Sequence, residues 1–561
     1  MECQQNFTLK KILQFGSISG FKINSTKTEA LPVNVPTETL STLKGNFKYR
    51  WCPQSLKYLG VHLTPSYSTL FQANFPPLFT EINRLLKTWT KLPLSLLGRI
   101  NVLKMSVIPK LLYLFETLPV MIPMSQLKSL QRNFLNFIWN NTSHRIASTV
   151  LLTTRARGGL GAPDIIKYYY ATHLRAVASW TSRYAPNRWS EIEMSITVPA
   201  HPCCMLWPSS DKYMSQLRKV CLNPMLFTLS IWKRCSGKYP LSSPCSPLVN
   251  IIFNPEIPDS LSYDAMLPWT KAGVFQLRHL VHPVTRTFLT FSELQSKYKI
   301  PKNIFYFLQI RHFISTRVPH LTLIMPTEFE LLCFRGPYEP HLISTIYKIL
   351  HDTPQITEHT HSYMRKWSHV LNRPISLPEW RNIWEATSKV SRCVAQKETA
   401  YKILMFWYRT PEFLLARKLT PSGQCWRCGS SLGTHYHIFW ECPMITPYWS
   451  KIHALLGKVL GVPIPLHPLY LLLGLPLPKT PKTLRKLMAF ILLAAKRAIP
   501  QCWLTNVPPS FTQFLAAVTD IRRMERLTAV IEDSLASFDA IWEKWDSSEY
   551  NSEIAQVTLN S

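Results

Sequence analysis

The chain has 561 residues, 46% of them hydrophobic, which is ample for packed cores and excludes an intrinsically disordered or fibrous protein. With 63 Lys and Arg against 32 Asp and Glu it carries a net charge of +31, so a polyanion is the expected partner, nucleic acid first and a membrane surface second. The most apolar runs, 469–477 and 487–495, fall far short of the roughly 20 residues of a spanning helix, so no membrane span is expected. Thirteen cysteines, with polar Glu2, Gln4 and Gln5 where a secretory leader would be apolar, point to a reducing intracellular setting, nuclear or cytoplasmic and not secreted.

Residues 7–15 read as part of a helix ending near Gly16, and Gly20, Phe21, Lys22, Ile23 and Asn24 as a strand with Lys27 just beyond it. The chain begins as if cut in mid-domain. A second strand is expected over 57–63, and only scattered prolines lie between the two. From Thr80 the period changes, with Ile82, Leu85, Leu86 and Trp89 on one helical face and Arg84, Lys87 and Lys91 on another. After Pro93 a second helix places Leu96, Ile100, Leu103 and Val107 inside and Arg99, Lys104 and Lys110 outside. A third, opened by Pro123, buries Leu127, Leu130, Phe134 and Phe137 and exposes Lys128 and Arg132. Between Thr80 and Asn140 the acids are Glu81 and Glu116 alone, so three consecutive basic helix faces suit phosphate tracking better than ordinary solvated surface.

In the middle of the chain, Trp180, Trp189, Trp207, Trp269 and Trp367 read as core more readily than as platforms for bases. Cys203 and Cys204 lack metal-ligand spacing, and the proline-rich stretches 240–258 and 319–340 read as loops. An aromatic, basic segment over 402–419 leads into Cys425, Cys428, His437 and Cys442, whose spacers of two, eight and four residues suit one tetrahedral Zn²⁺ in a closed structural site. One turn of helix is expected to carry the last two ligands. His435 competes with His437, because two histidines one residue apart are not ranked by spacing. Gly429 and Gly433 let the loop double back, Trp426, Phe439 and Trp440 form a small apolar cap, and Lys418, Trp426 and Arg427 are candidates for contacts to phosphate and bases. Beyond a proline-rich connection at 463–481, a helix over 483–499 has an apolar centre with Arg485, Lys486, Lys496 and Arg497 at its ends. Ser510 and Gln513 form a capping box for a last helix bearing Phe514, Val518 and Ile521, and a polar tail follows at 546–561.

Several segments taken in order carry a likeness: Ser19-Gly20-Phe21-Lys22-Ile23-Asn24-Ser25-Thr26-Lys27-Thr28, Lys57-Tyr58-Leu59-Gly60-Val61 and Leu97-Gly98-Arg99-Ile100-Asn101-Val102-Leu103-Lys104-Met105. Phe134-Leu135-Asn136-Phe137-Ile138-Trp139, Gly158-Gly159-Leu160-Gly161-Ala162-Pro163-Asp164, Phe291-Ser292-Glu293-Leu294 and Tyr306-Phe307-Leu308-Gln309-Ile310-Arg311 continue it. Together with the cysteine module they resemble the end of the palm, the thumb and the C-terminal region of a non-LTR retrotransposon reverse transcriptase of the long interspersed element group. The resemblance implies a mainly α fold: a truncated α/β palm remnant (1–65), a helical thumb (66–175), a mostly helical connector (176–410), a zinc-stapled helical module (411–545) and the tail (546–561).

Lys27 matches the lysine of the family's post-catalytic palm motif. Yet no aspartate precedes Asp164 and no Asp-Asp pair occurs, so the oxygen ligands for catalytic Mg²⁺ have no match and Lys27 has no chemistry to assist. The family's N-terminal endonuclease is also without room. The expected product binds template RNA, or an RNA–DNA or DNA duplex, without copying it, with structural Zn²⁺ and no Mg²⁺ site. The alternatives are a polymerase completed by an upstream segment or another polypeptide, and a zinc-stapled protein-interaction module.

Overall fold

The computed structural model describes residues 11–548 and Tyr550, except 13, 23, 25, 182–187, 198–201, 207–222, 242–245, 249, 252–260, 262, 286, 318–325 and 352–356. The chain is mainly α-helical, with two small two-stranded sheets near the N-terminus. Among the described residues no helix is long and apolar enough to cross a membrane. Residues 7–10 of the expected first helix, the side chains of Cys204 and Trp207, parts of both proline-rich stretches and residues 551–561 of the tail lie outside the described residues.

The first helix closes at Gly20 and not near Gly16: Gly20, at φ +75°, donates its N–H to Gly16 O at 2.9 Å. No strand forms among the described residues of the stretch 20–24, and a turn at Thr26–Lys27 follows it. The Asn24 side-chain oxygen accepts from the Thr26 hydroxyl (2.7 Å) and the Lys27 N–H (3.1 Å), and such local closure competes with an extended backbone. Strand β1 (Glu29–Ala30) then pairs in parallel with β2 (Arg50–Trp51). Between them lies α1 (Thr37–Asn46), a helix that shows little periodicity because Leu43 is its one buried residue. The single strand expected at 57–63 is a hairpin, β3 (Leu56–Tyr58) antiparallel to β4 (Val61–Leu63). Its two turn residues, Leu59 and Gly60, both have positive φ (46° and 85°), the two-residue turn that matches strand twist.

The helices that follow include α2 (Tyr67–Thr90), α3 (Leu96–Val102), α4 (Ile108–Thr117), α5 (Met124–Ile138) and α6 (Ile165–Thr181), with a π-helical segment, Leu103–Val107, before α4 and a short helix, Ser148–Leu152, before α6. Helix α2 starts well before Thr80 and runs through Pro76 and Pro77, which hid it from a pattern reading. Along it Phe71 stacks on Phe75 at 5.6 Å and Phe79 lies tilted to Phe75 at 6.0 Å, and Phe75 stacks on Phe115 at 6.2 Å.

By contacts the chain divides into two compact units, the first made of residues 1–88, 106–133 and 165–353. Its hub is α6, apolar nearly all round and therefore packed all round, against α4 and the helices Asn223–Ser236, Glu328–Arg335 and Leu342–His351. Trp180 and Trp269 are buried here, whereas Trp189 is 44% exposed and departs from the core reading.

The second unit comprises residues 89–105, 134–164 and 354–561. It contains α3 and the later helices α7 (Leu377–Lys389), α8 (Val394–Leu404), α9 (Thr446–Leu460), α10 (Lys482–Gln501), α11 (Phe511–Ile531) and α12 (Leu535–Asp546). Helix α10 is the centre, contacting α8, α9, α11 and α12. The Ser510–Gln513 capping box forms as expected, Gln513 N–H donating to Ser510 Oγ (3.1 Å) and Ser510 N–H to Gln513 Oε1 (2.9 Å). That helix is not the last, since α12 follows. Lys496, expected at a charged helix end, is buried, its ammonium donating to Leu472 O at 3.2 Å. Helix α8 is tied to α3 by Glu398, which accepts the Leu97 N–H at 2.8 Å.

Candidate metal centre and basic surfaces

The metal loop starts from a short helix, Pro411–Ala416, capped by the Thr410 hydroxyl. After it the chain doubles back: Gly433 N–H donates to Gly423 O (2.7 Å) and Cys425 N–H to Ser431 O (2.8 Å). Gly429, at φ +66°, closes the elbow by donating to Cys425 O (2.9 Å). The need for glycine at 433 is steric, since a Cβ there would lie 2.6 Å from the Pro411 ring.

The sulfurs of Cys425, Cys428 and Cys442 and one ring nitrogen of His437 all lie within 4.8 Å of one another, a group that could hold a metal ion. Cys425 Sγ is 3.8 Å from Cys442 Sγ, and Cys428 Sγ is 3.4 Å from His437 Nε2. Bonds of about 2.3 Å to sulfur and about 2.0 Å to nitrogen in a tetrahedron give edges of about 3.8 and 3.5 Å, so the donors fit one ion, and the sulfur pair is far beyond disulfide length.

The expected helical turn between the last two ligands is π-helical, His437–Glu441, and the Cys442 N–H donates to His437 O at 2.8 Å. An α-helix turns about 100° per residue and would leave two residues five apart about 140° away from each other. The i→i+5 hydrogen bond restores them to one side. Thr434, which the spacing argument did not single out, accepts the His437 N–H at 2.9 Å through its hydroxyl and sets the ring's approach. Burial alone would raise the Cys428 thiol, but the Ser430 and Ser431 N–H groups, the Ser430 hydroxyl and the His437 ring outweigh it and bring it well below the ordinary value. Burial pushes Cys442 up, opposed by the Met444 N–H and reinforced by the neighbouring Cys425 and Cys428 sulfurs. One divalent cation would relieve this crowding of sulfurs.

His435, the competing ligand, and Arg427 and Trp426, the candidates for contacts to phosphate and bases, are placed otherwise. His435 is buried between Phe406 (4.6 Å) and Phe439 (4.7 Å), both ring nitrogens lack a partner, and burial pushes its pKa down to about 3. It is a packing ring, and His437 takes the ligand position. Arg427 is 7% exposed, with Nη1 donating to Ile438 O at 2.8 Å while Nε and Nη2 have no oxygen or nitrogen partner. Burial lowers its pKa, and the charges of Cys442, Cys425 and Cys502 act in the other direction, placing the guanidinium beside the sulfur cluster. Trp426 is half-buried edge-on to Trp503 at 5.5 Å.

Of the basic residues singled out in the sequence, Arg84, Lys87, Lys91, Lys104, Lys128, Arg132 and Lys418 are exposed. In the first unit Asn133 Nδ2 donates to Asn83 Oδ1 at 2.9 Å, a bond between α2 and α5 at the residues next to Arg132 and Arg84 in the chain. Arg99 is not on the surface: it is 3% exposed, with its guanidinium donating to the carbonyls of Thr90 (3.3 Å), Leu92 (3.2 Å), Leu94 (3.3 Å) and Phe137 (3.4 Å). Carbonyls left over at the end of α2 recruit this cation inward. Lys110, also read as outward, spends its charge on Glu81 at 2.5 Å. Lys27 is exposed in its turn. No known protein-family model matches the chain.

Proposed function

We propose that this chain is a nucleic-acid-binding, reverse-transcriptase-like protein of the long interspersed element type whose C-terminal loop is stapled by one structural Zn²⁺. The observation that carries the binding reading is the +31 charge combined with the exposed cations Arg84 and Lys87 on α2 and Lys128 and Arg132 on α5, two helices joined by the Asn83–Asn133 hydrogen bond. The order of the palm-, thumb- and knuckle-like segments supports the family reading. Zinc is the metal that suits three thiolates and an imidazole in a tetrahedron with no open position, and its bonds would supply folding energy rather than catalysis. Three thiolates and one divalent cation leave a single negative charge, which the buried Arg427 balances.

The burial of Arg427 and His435 favours a staple that tethers the Pro411–Ala416 helix to α9 over a knuckle that displays groups for stacking on bases. Recognition then falls to the helix faces. Phosphate contacts by the four cations named would give single-stranded RNA binding a slope of about −3 in log K against log salt, at about 0.7 per contact. The experiment combines zinc stoichiometry, salt-dependent RNA binding and primer extension with Mg²⁺ or Mn²⁺. One zinc, a slope near that value and no extension are expected. RNA binding that is absent at low salt, or that ignores salt, refutes the reading; reproducible extension refutes the non-catalytic part of it.

A further inference from the structure

We propose that the second unit carries a phosphate pocket, formed where α7 and α8 meet the turn Arg155–Arg157, that takes the oxyanion of a phosphate ester through Arg155, Lys397 and Lys104. The cleft is lined by Arg155 and Gly159 on one side, Trp384 and Ser388 at the end of α7, and Lys397 and Tyr401 on α8. No acidic side chain lines it. The Lys104 ammonium lies against Gly161, next in the chain to the lining residue Leu160, where an added Cβ would sit 3.5 Å from Nζ.

Each cation in this cluster is short of partners. Arg155 makes one long hydrogen bond, Nη2 donating to Asn101 Oδ1 at 3.4 Å. The acid nearest in influence to Lys397 is Glu525, which is already engaged, accepting from the Ser391 hydroxyl at 2.6 Å and the Arg392 N–H at 3.3 Å. Burial first and then the Arg155 charge press both Lys104 and Lys397 below the ordinary lysine value, so the three positive groups act on one another. The Tyr401 hydroxyl is buried and unpartnered, a neutral donor beside the cations. Glycines form the floor because nothing larger fits: a Cβ at 159 would lie 2.0 Å from Thr153 O, and one at 158 would lie 2.2 Å from the Tyr363 hydroxyl.

Arg155 and Lys397 line the cleft with no carboxylate among the lining residues, which calls for an anion, and a guanidinium, an ammonium and the Tyr401 hydroxyl in one cleft are donors that suit a tetrahedral oxyanion. The pocket stands on its own geometry; only the polymeric source of its phosphate rests on the nucleic-acid reading. Two sources share this chemistry, the backbone of single-stranded RNA and a free phosphate or pyrophosphate.

The test uses the full chain with three probes: inorganic phosphate, pyrophosphate and an oligouridylate. Acetylation of Lys397 and Lys104, mapped by mass spectrometry on the unmodified protein, is expected to fall when the right probe is bound. Lys397→Gln and Arg155→Gln are each expected to weaken that probe about tenfold, the scale of one charge-assisted hydrogen bond, and to cut the RNA salt slope by about 0.7. Lys389→Gln, at an exposed lysine paired with Glu385 on the same α7, is expected to change neither. Protection by oligouridylate assigns the phosphate to RNA; protection by pyrophosphate alone keeps the pocket and assigns it to a free phosphate. RNA that binds equally to wild type and both pocket variants, with no lysine protected by any probe, overturns the pocket and leaves the nucleic-acid reading standing.

Discussion

Replacing Arg427 by Met separates a guanidinium that neutralises a metal site from one that meets RNA. The side chain is 7% exposed and its single hydrogen bond goes to Ile438 O at 2.8 Å, inside the π-turn that carries His437 and Cys442. Methionine fills much of the volume but leaves that carbonyl without a donor, at a cost of about 1–2 kcal/mol to the fold. It also leaves a metal centre with one uncompensated negative charge in a buried setting. Loss of a partner in the shell around a metal typically lowers affinity by about 10- to 100-fold, or about 1.4–2.7 kcal/mol. Competition against a chromophoric zinc chelator at fixed pH reads this directly, and RNA affinity at low salt is measured on the same preparation. Arg427→Lys should fall between, because an ammonium keeps the charge but not the planar fork. Zinc affinity within twofold of wild type, together with a tenfold loss of RNA binding, would refute the argument and return Arg427 to the role its sequence position suggested.

Cys428→Ser should eliminate bound metal and loosen the loop from Gly423 to Cys442 while most helical ellipticity persists; large helix loss would show that the staple holds more than its own loop. Arg99→Met should destabilise the chain by about 3 kcal/mol in urea, since the buried Phe137 carbonyl and the part-buried bonds to Thr90, Leu92 and Leu94 lose their donor, and leave RNA affinity unchanged. Lys496 has its pKa lowered by burial from 10.5 to about 8. Between those values the unfolded chain holds more of this proton than the folded one, so the group makes stability rise with pH across that window, and its penalty is full below pH 8. Lys496→Met should therefore stabilise by about 2 kcal/mol at pH 7, after allowing for the orphaned Leu472 carbonyl, with the gain vanishing near pH ~9.5 and turning into a loss of about 1 kcal/mol by pH ~10.5; a gain independent of pH would contradict it.

The cluster that could hold a metal ion was legible because ligand chemistry fixes both residue type and spacing, and the helical faces from α2 to α5 were legible because burial imposes a period. Ile82, Leu86, Ile100, Leu127, Leu130, Phe134 and Phe137 are all buried as their spacing required. Arg99 and Arg427 were misplaced for one reason: a pattern reading sends every charge outward, and leftover helix carbonyls or a neighbouring sulfur cluster leave no periodic trace. Leu59 was hidden because nothing about leucine signals a positive φ. The turn becomes visible only once Val61 is seen buried and paired back on Tyr58. Helix α1 lacked a signal because it buries a single leucine, and the start of α2 was masked by Pro76 and Pro77, whose missing N–H groups a cluster of stacked phenylalanines tolerates.

The π-turn between His437 and Cys442 has the form of a single extra residue accommodated in an α-turn. Removing one residue from Ile438 to Glu441 would let an ordinary i→i+4 turn present His437 and Cys442 to the same ion, so metal binding would survive the shortening. Helix α9 would not be indifferent. It begins from the Cys442 carbonyl, which accepts the Thr446 N–H at 3.1 Å, and Trp449 is held by the Phe439 carbonyl at 2.8 Å; the shortening would swing Trp449 out of phase by about 100°. The ligand loop and the helix it launches are thus separately phased, and the extra residue works as a gear tooth between them: metal content would report the loop and thermal stability the helix, and in such a deletion the two would part company.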